Sequence, residues 1–532
     1  MQAAGPFRAL QQWKDAQEAL DHAMQHYLES TILLQSQTHN SACSVESQPV
    51  RNTLSETWIN KAPIPDKHSI LARAQVHLNQ MRNSMIQVNS LPPELLLRIF
   101  CFVASTFRAI ENQFITTPSP SHQDDYKDLI IATHVCSYWR NILISTPSFW
   151  SRFDFDTRNK IEAEYERAEL YSNRACGVPQ SLFIEEHASR YFYHESFDIF
   201  QNLFQSRLDN LTQIVMLNFS SLDLVRETMS HWLQHGRPGT LRALTIQMDS
   251  KVEISEPIQT KHRDFIGRMS QMLDPIHSLS LFGVVFAWDS LTYHNLTQLH
   301  IGGVPYEVSP HIHNVLDILS NSPRLQKLRI NNMAILQCGQ VSSHPVYLTE
   351  LEQLELMELT YESLDVLLPM IFPQSKGLNI RITLLSIDDH VVSAINSFLG
   401  RTDVARLCAQ QDLIARCLPA VPNISTLIVD LKEQPEDSCL SKFSYIEAST
   451  GVRVLRCPNL QTLHLHSGSI PIEAIQEVIE THPTIRKLWL STCYIEPFED
   501  ELLYWLKPYV ENVRFDPRLG EGATDDWTRV MI

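Results

Sequence analysis

Glycine is scarce in this 532-residue chain, at 15 residues, less than half of the roughly 7 % found in an average composition. There is no phosphate-cradling glycine loop, no nucleophile elbow and no H-E-x-x-H pair, so nothing here points to an enzyme. The ten cysteines form no C-x-x-C pair, which argues against a zinc ribbon or a redox motif and for buried thiols. His464-x-His466 and His311-x-His313 offer two ligands each without a third at a recognisable spacing, so neither a metal nor a cofactor is expected. Positive charge is short: 43 Lys and Arg stand against 60 Asp and Glu, a net −17. That is the wrong sign for neutralising phosphates, and nucleic acid is not an expected partner. Long apolar runs are missing too. Leu281–Trp288 is among the longest, far below the roughly 20 residues that cross a bilayer. The amino terminus has no apolar signal-like stretch, so an intracellular place, cytoplasmic or nuclear or both, is expected.

What is present begins with an amphipathic helix from about Ala9 to Leu34, in which Trp13, Leu20, Tyr27 and Leu34 recur one heptad apart. Its brevity favours a single helix over a coiled coil. Residues 38–66 are rich in Ser, Asn, Thr and Pro without period, the composition of a linker. A second helix follows over 67–87, with Ile70, Leu71, Ala74, Leu78, Met81 and Met85 on one side. It leads into "SLPPELLLRIF", Ser90 to Phe100, where two prolines suit a first helical turn, Ser90 is the expected N-cap, and Leu95, Leu96, Leu97, Ile99 and Phe100 make the helix apolar nearly all round. Such a helix needs cover on more than one side. A polar, proline-containing loop over Thr117–Asp128 precedes two further short helical pieces in Leu129–Trp150. Three short, greasy helices in about 60 residues are too small a unit to hide their own apolar surface. A second polypeptide is expected to complete the cover.

The remainder carries a recurring apolar triplet spaced Φ-x-x-Φ-x-Φ. Its middle residues are Ile214, Leu244, Leu279, Leu299, Leu328, Leu354, Leu427, Leu463 and Leu488. A degenerate copy at Gly377, Ile380 and Ile382, with an insertion after it, fills the widest gap. Between triplets, apolar residues at helical spacing such as Ile472, Ile475 and Ile479 give way to proline just before the next strand, as at Ser322-Pro323 and His482-Pro483. Periods of this kind belong to α/β solenoids, in which each unit buries its apolar side only against its neighbours. "IRKLWLSTCYI" has the L-x-x-L-x-L-x-x-C-x-L form of a leucine-rich repeat.

Leu91-Pro92, Glu94-Leu95, Ile99-Phe100, Val135-Cys136, Trp139-Arg140 and Phe149-Trp150 together resemble the F-box motif. The whole chain resembles F-box and leucine-rich-repeat proteins, particularly the divergent ones abundant in fungi. The implied fold is N-terminal helices and a small all-α F-box, followed by an irregular leucine-rich-repeat-like α/β solenoid. The implied division is an amphipathic helix (1–37), linker (38–66), leader helix (67–87) and F-box (88–150) with a loop insertion (105–128). A connecting helical segment (151–177), a solenoid of about ten units (178–515) and a tail (516–532) complete it. The loop is a departure, since the family has a tighter connection there. The resemblance implies docking on a Skp-type adaptor through Leu91, Pro92, Leu95, Ile99, Val135, Trp139 and Trp150, acting directly or as immediate support. Through that adaptor it implies a cullin, with the repeats holding a protein substrate for ubiquitin transfer by other subunits. The alternative is an interaction scaffold outside any ubiquitin ligase. Side chains between the apolar strand positions face the concave side in this architecture. Among them His300, Arg329, Glu355, His464, His466 and Trp489 are the candidate substrate contacts, with Trp489 the expected anchor.

Overall fold

A computed structural model describes residues 4–40, 83, 86–103, 124–156, 161–175, 177–186, 210–249, 257–258, 271–337, 344–431, 439–446, 453–496 and 499–516. The chain divides into two compact units, Met1–Ser90 and Leu91–Ile532.

In the first unit, helix α1 spans Ala4–Asn40. It overruns the expected boundary at 37, and every side chain described along it is exposed, Trp13 and Leu20 included. Amide-to-carboxylate hydrogen bonds one turn apart, Gln11 to Asp15 and Gln25 to Glu29, support its polar side. The rest of the expected linker and nearly all of the leader helix lie outside the described residues. A 3₁₀ turn at Gln87–Ser90 ends this unit, steadied by the Asn89 amide donating to the Asn83 carbonyl at 2.7 Å.

The second unit opens with helices α2 (Pro93–Val103), α3 (Asp124–Val135) and α4 (Ser137–Ile144), then a 3₁₀ turn at Pro147–Trp150. The N–H groups of Leu95 and Leu96 both donate to the Pro92 carbonyl, at 3.0 and 3.2 Å. The helix therefore starts at Pro93 with Pro92 flanking it, and Ser90, the expected cap, falls in the preceding turn instead. Residues 104–123, most of the expected loop insertion, lie outside the described residues.

Among the described residues, fourteen parallel strands then form one sheet in strict chain order. They are β1 (Arg152–Asp156), β2 (Gln180–Glu185), β3 (Leu211–Phe219), β4 (Ala243–Met248), β5 (Ser278–Phe282), β6 (Gln298–Val304) and β7 (Lys327–Met333). After them come β8 (Gln353–Leu359), β9 (Leu378–Leu384), β10 (Val404–Gln410), β11 (Thr426–Asp430), β12 (Thr462–Pro471), β13 (Lys487–Glu496) and β14 (Asn512–Asp516). A parallel neighbour requires a crossover. Helices such as Leu222–His235, Ile312–Ser320, Asp389–Gly400 and Ile472–Thr481 supply it and bury their apolar sides against the sheet. The last two apolar residues of each triplet are two apart and so share a strand face. They merge into a single core running from Trp150 to Val510.

The solenoid is longer than its clearest triplets suggest. The expected insertion after Ile382 contains another strand, β10, whose triplet reads Val404, Leu407 and Ala409, so that alanine disguises it. At the far end, Val510, Val513 and Phe515 form the triplet of β14. The stretch 151–177, expected as a helical connection, contains strand β1 as well as the helix Ile161–Ala175. Its triplet is aromatic: Trp150, Phe153 and Phe155, all buried. The sheet thus has fourteen strands where about ten units were expected.

Six strands share one backbone device. Four residues beyond the middle triplet position stands a residue with φ between 46° and 68°: Asn218, Gly283, Gly303, Asn332, Glu358 and Ser467. Glycine and asparagine tolerate that left-handed region best.

Candidate functional site

Helix α2 solves the problem its composition poses by burying one side and presenting another. Leu96 and Phe100, four apart, are buried, while Leu95, Ile99 and Phe102 are 43 %, 39 % and 77 % exposed. Positions 95, 99 and 102 lie on one helical stripe. On α3, Ile131 and Val135 repeat the arrangement at 59 % and 55 % exposure. Isolated exposed apolar residues are ordinary; here two such stripes stand on helices that pack together.

The V-C-x-x-W-R stretch holds these helices together. Buried Cys136 is the N-cap of α4, its Sγ accepting the Trp139 N–H at 3.5 Å. The Trp139 ring packs edge-on against Phe100 at 5.0 Å, joining α4 to α2. Arg140 reaches back with Nε to the Thr133 carbonyl at 2.9 Å, closing the end of α3. Of the seven expected docking positions, Pro92, Leu95, Ile99 and Val135 are exposed, Leu91 and Trp139 are half-buried, and Trp150 is buried. Trp150 lies in the solenoid core because it is also the first residue of the first triplet. Phe102 and Ile131 are additions to the exposed stripes. Their signal was helical spacing, seven residues after Leu95 and four before Val135.

The side of the sheet opposite the leucine core carries a polar row. In register across β5 to β10 stand Ser280, His300, Arg329, Glu355, Arg381 and Cys408. The strands do turn the candidate contacts His300, Arg329, Glu355, His464 and His466 away from the core, but they bury them, each at 8 % exposure or less. A polar alternation fixes the face of a strand and not its exposure. Several of these side chains pair with one another. Ser280 Oγ and His300 Nδ1 share a hydrogen bond of 3.0 Å. The Arg329 guanidinium lies 3.6 Å from Glu355, whose other oxygen accepts from Gln353. Farther along, Ser491 Oγ sits between His464 Nε2 at 2.6 Å and His466 Nδ1 at 2.8 Å. A hydroxyl has one proton and two lone pairs, so Ser491 donates to at most one of the two imidazoles. Trp489 is half-buried, flanked by the His464 ring at 5.9 Å and the Arg514 guanidinium at 5.9 Å.

Burial sets the protonation of the row. It holds His300 well below the ordinary imidazole range, with Arg329 adding to the effect. It brings His464 down to about 4, helped by His466 and Arg514, and pushes the Cys408 thiol up to about 11 against the pull of Arg381. Neutral imidazoles and an un-ionised thiol in this setting are structural groups rather than activated ones. Among the described residues no three His, Cys, Asp or Glu side chains converge as a metal site, and no helix is long and apolar enough to cross a membrane.

Residues 88–156 match the F-box-like domain family, and the match runs through strand β1. No curated protein matches the chain. Among solved structures, the crystal structure of a Bacteroides fragilis protein is similar at 13 % identity and a TM-score of 0.29, covering 58 % of this chain and 75 % of that one.

Proposed function

We propose that this chain is the substrate-recognition subunit of a Skp–cullin–F-box ubiquitin ligase. The F-box-like segment docks a Skp-type adaptor, the adaptor joins it to a cullin, and the solenoid holds a protein for ubiquitin transfer by other subunits. F-box domains are interaction modules that typically dock this adaptor, and residues 88–156 match that family. The observation that carries the reading is the double-sided α2. Its inner residues are spent on the chain's own core, while Leu95, Ile99 and Phe102 remain partly outside, and covering what is still exposed adds a share of the about 1.5–3 kcal/mol that full burial of such a side chain is worth, largest for Phe102. The chain's contribution is proximity: a held substrate is concentrated beside a ubiquitin carrier without this protein making or breaking a bond. Such a complex works in the cytoplasm or nucleus.

Co-expression with a Skp-type adaptor tests the docking, and gel filtration after adding a cullin tests the assembly. The expected result is an adaptor complex that shifts to higher mass with the cullin and is lost in the Leu91→Ala/Pro92→Ala double variant. A chain that binds adaptor yet never enters the cullin assembly would be an interaction scaffold instead.

A further inference from the structure

One member of the buried polar row has no counter-ion among the described residues. Arg381, on β9, is 6 % exposed. Its Nε and Nη1 atoms are buried and have no hydrogen-bond partner among the described residues. Its neighbour in register on β8 is Glu355, but that carboxylate is engaged by Arg329 and Gln353, and Arg381 makes no ion pair among the described residues. On its other side, the same row continues as Cys408 and Ile428, both buried. A guanidinium is always charged, and a buried charge without a counter-ion is costly. Along the three strands Arg329, Glu355 and Arg381 leave one positive charge over, at the middle of the sheet face opposite the core.

We propose that Arg381 receives a carboxylate from the polypeptide held on the solenoid, an acidic side chain with an apolar neighbour. This rests on the reading of the solenoid as a protein-holding surface and names the class of segment it takes. The planar guanidinium fork matches a carboxylate in two parallel hydrogen bonds. The one positive charge left over is balanced by a carboxylate of one negative charge and overshot by a phosphate of nearly two. Cys408 and Ile428 supply the apolar ground beside it.

The test is calorimetry on the full-length chain with hexapeptides blocked at both ends. One alternates leucine with glutamate, one leucine with glutamine, and one leucine with phosphoserine. The expected result is that the glutamate peptide binds about tenfold or more tightly than the glutamine peptide, the range of a charge-assisted hydrogen-bond pair, and more tightly than the phosphoserine peptide. Arg381→Met is expected to fold, to melt no lower than the wild type, and to lose the preference. Arg381→Lys keeps the charge without the fork and is expected to reduce the preference, which also serves if the methionine variant fails to fold. Equal binding of the glutamate and glutamine peptides, a preference that survives both substitutions, or tighter binding of phosphoserine would overturn the proposal. Adaptor pulldown with Arg381→Met separates the two readings, since loss of peptide preference with adaptor binding intact bears only on this site.

Discussion

The indole Nε1 of Trp150 donates a 2.8 Å hydrogen bond to the carbonyl oxygen of Leu143. The same ring meets Tyr171 edge-on at 5.1 Å and lies under the Arg174 guanidinium at 4.3 Å. One side chain thus belongs to the end of the F-box helices and to the first solenoid unit.

Trp150→Ala removes both attachments. It is expected to cost about 3–5 kcal/mol, seen in urea unfolding. In hydrogen exchange the amides of 137–156 should lose protection before those of the central strands. Unchanged protection across that segment would mean that the two parts do not depend on this residue.

The Arg329–Glu355 pair is buried on both sides. Glu355→Leu strands the Arg329 guanidinium and is expected to destabilise by about 3–5 kcal/mol, whereas Arg329→Met/Glu355→Leu should recover most of that loss. Thermal unfolding of the two single variants and the double variant gives the coupling directly.

Stability should fall on mild acidification. His464 in the folded chain is held at about 4, against about 6.5 for an unfolded imidazole. Between those values the unfolded state binds a proton that the folded state refuses, so the contribution is whole above about pH 6.5 and is lost as pH drops toward 4. His300 and His482, also lowered by burial, act in the same direction. The Tm is therefore expected to be level near pH 7.5 and to decline below about 6.5, with a shallower decline in His464→Gln.

Glu358 sits at φ 52° where four of the five equivalent strands use glycine or asparagine, and its side chain is exposed. Glu358→Gly is expected to stabilise by about 0.5–1 kcal/mol, because relief of left-handed strain outweighs the flexibility that glycine adds to the unfolded chain. Chemical denaturation of this single variant checks it.

Much of this fold was legible because its signal is local and repeated. Leu328 and Ile330, or Leu463 and Leu465, declare a strand two residues at a time, and nine such triplets coincide with strands of the one sheet. The units that escaped lacked the expected residue types: Ala409 closes a triplet with a methyl group, and Trp150, Phe153 and Phe155 are aromatic where leucine is usual. Helix α2 was legible as an over-apolar segment, but which residues face out depends on where α3 and α4 pack, and Trp139 meeting Phe100 across 39 residues is not written in either neighbourhood. That the polar row lies away from the leucine core follows from strand alternation, but its burial was not legible, because exposure is a property of many strands together.

The central claim is that the outward stripes of α2 and α3 are a docking surface and not part of the chain's own core. Its most direct measurement is the affinity of the full-length chain for a purified Skp-type adaptor, taken beside the Tm, for the wild type and for Ile99→Asp/Val135→Asp. The account predicts tight binding by the wild type, and for the double variant a loss of about a hundredfold or more with an unchanged Tm, as expected when charges are buried unpaired at an interface. A double variant that binds like the wild type, or one that loses binding only because it unfolds, would contradict it.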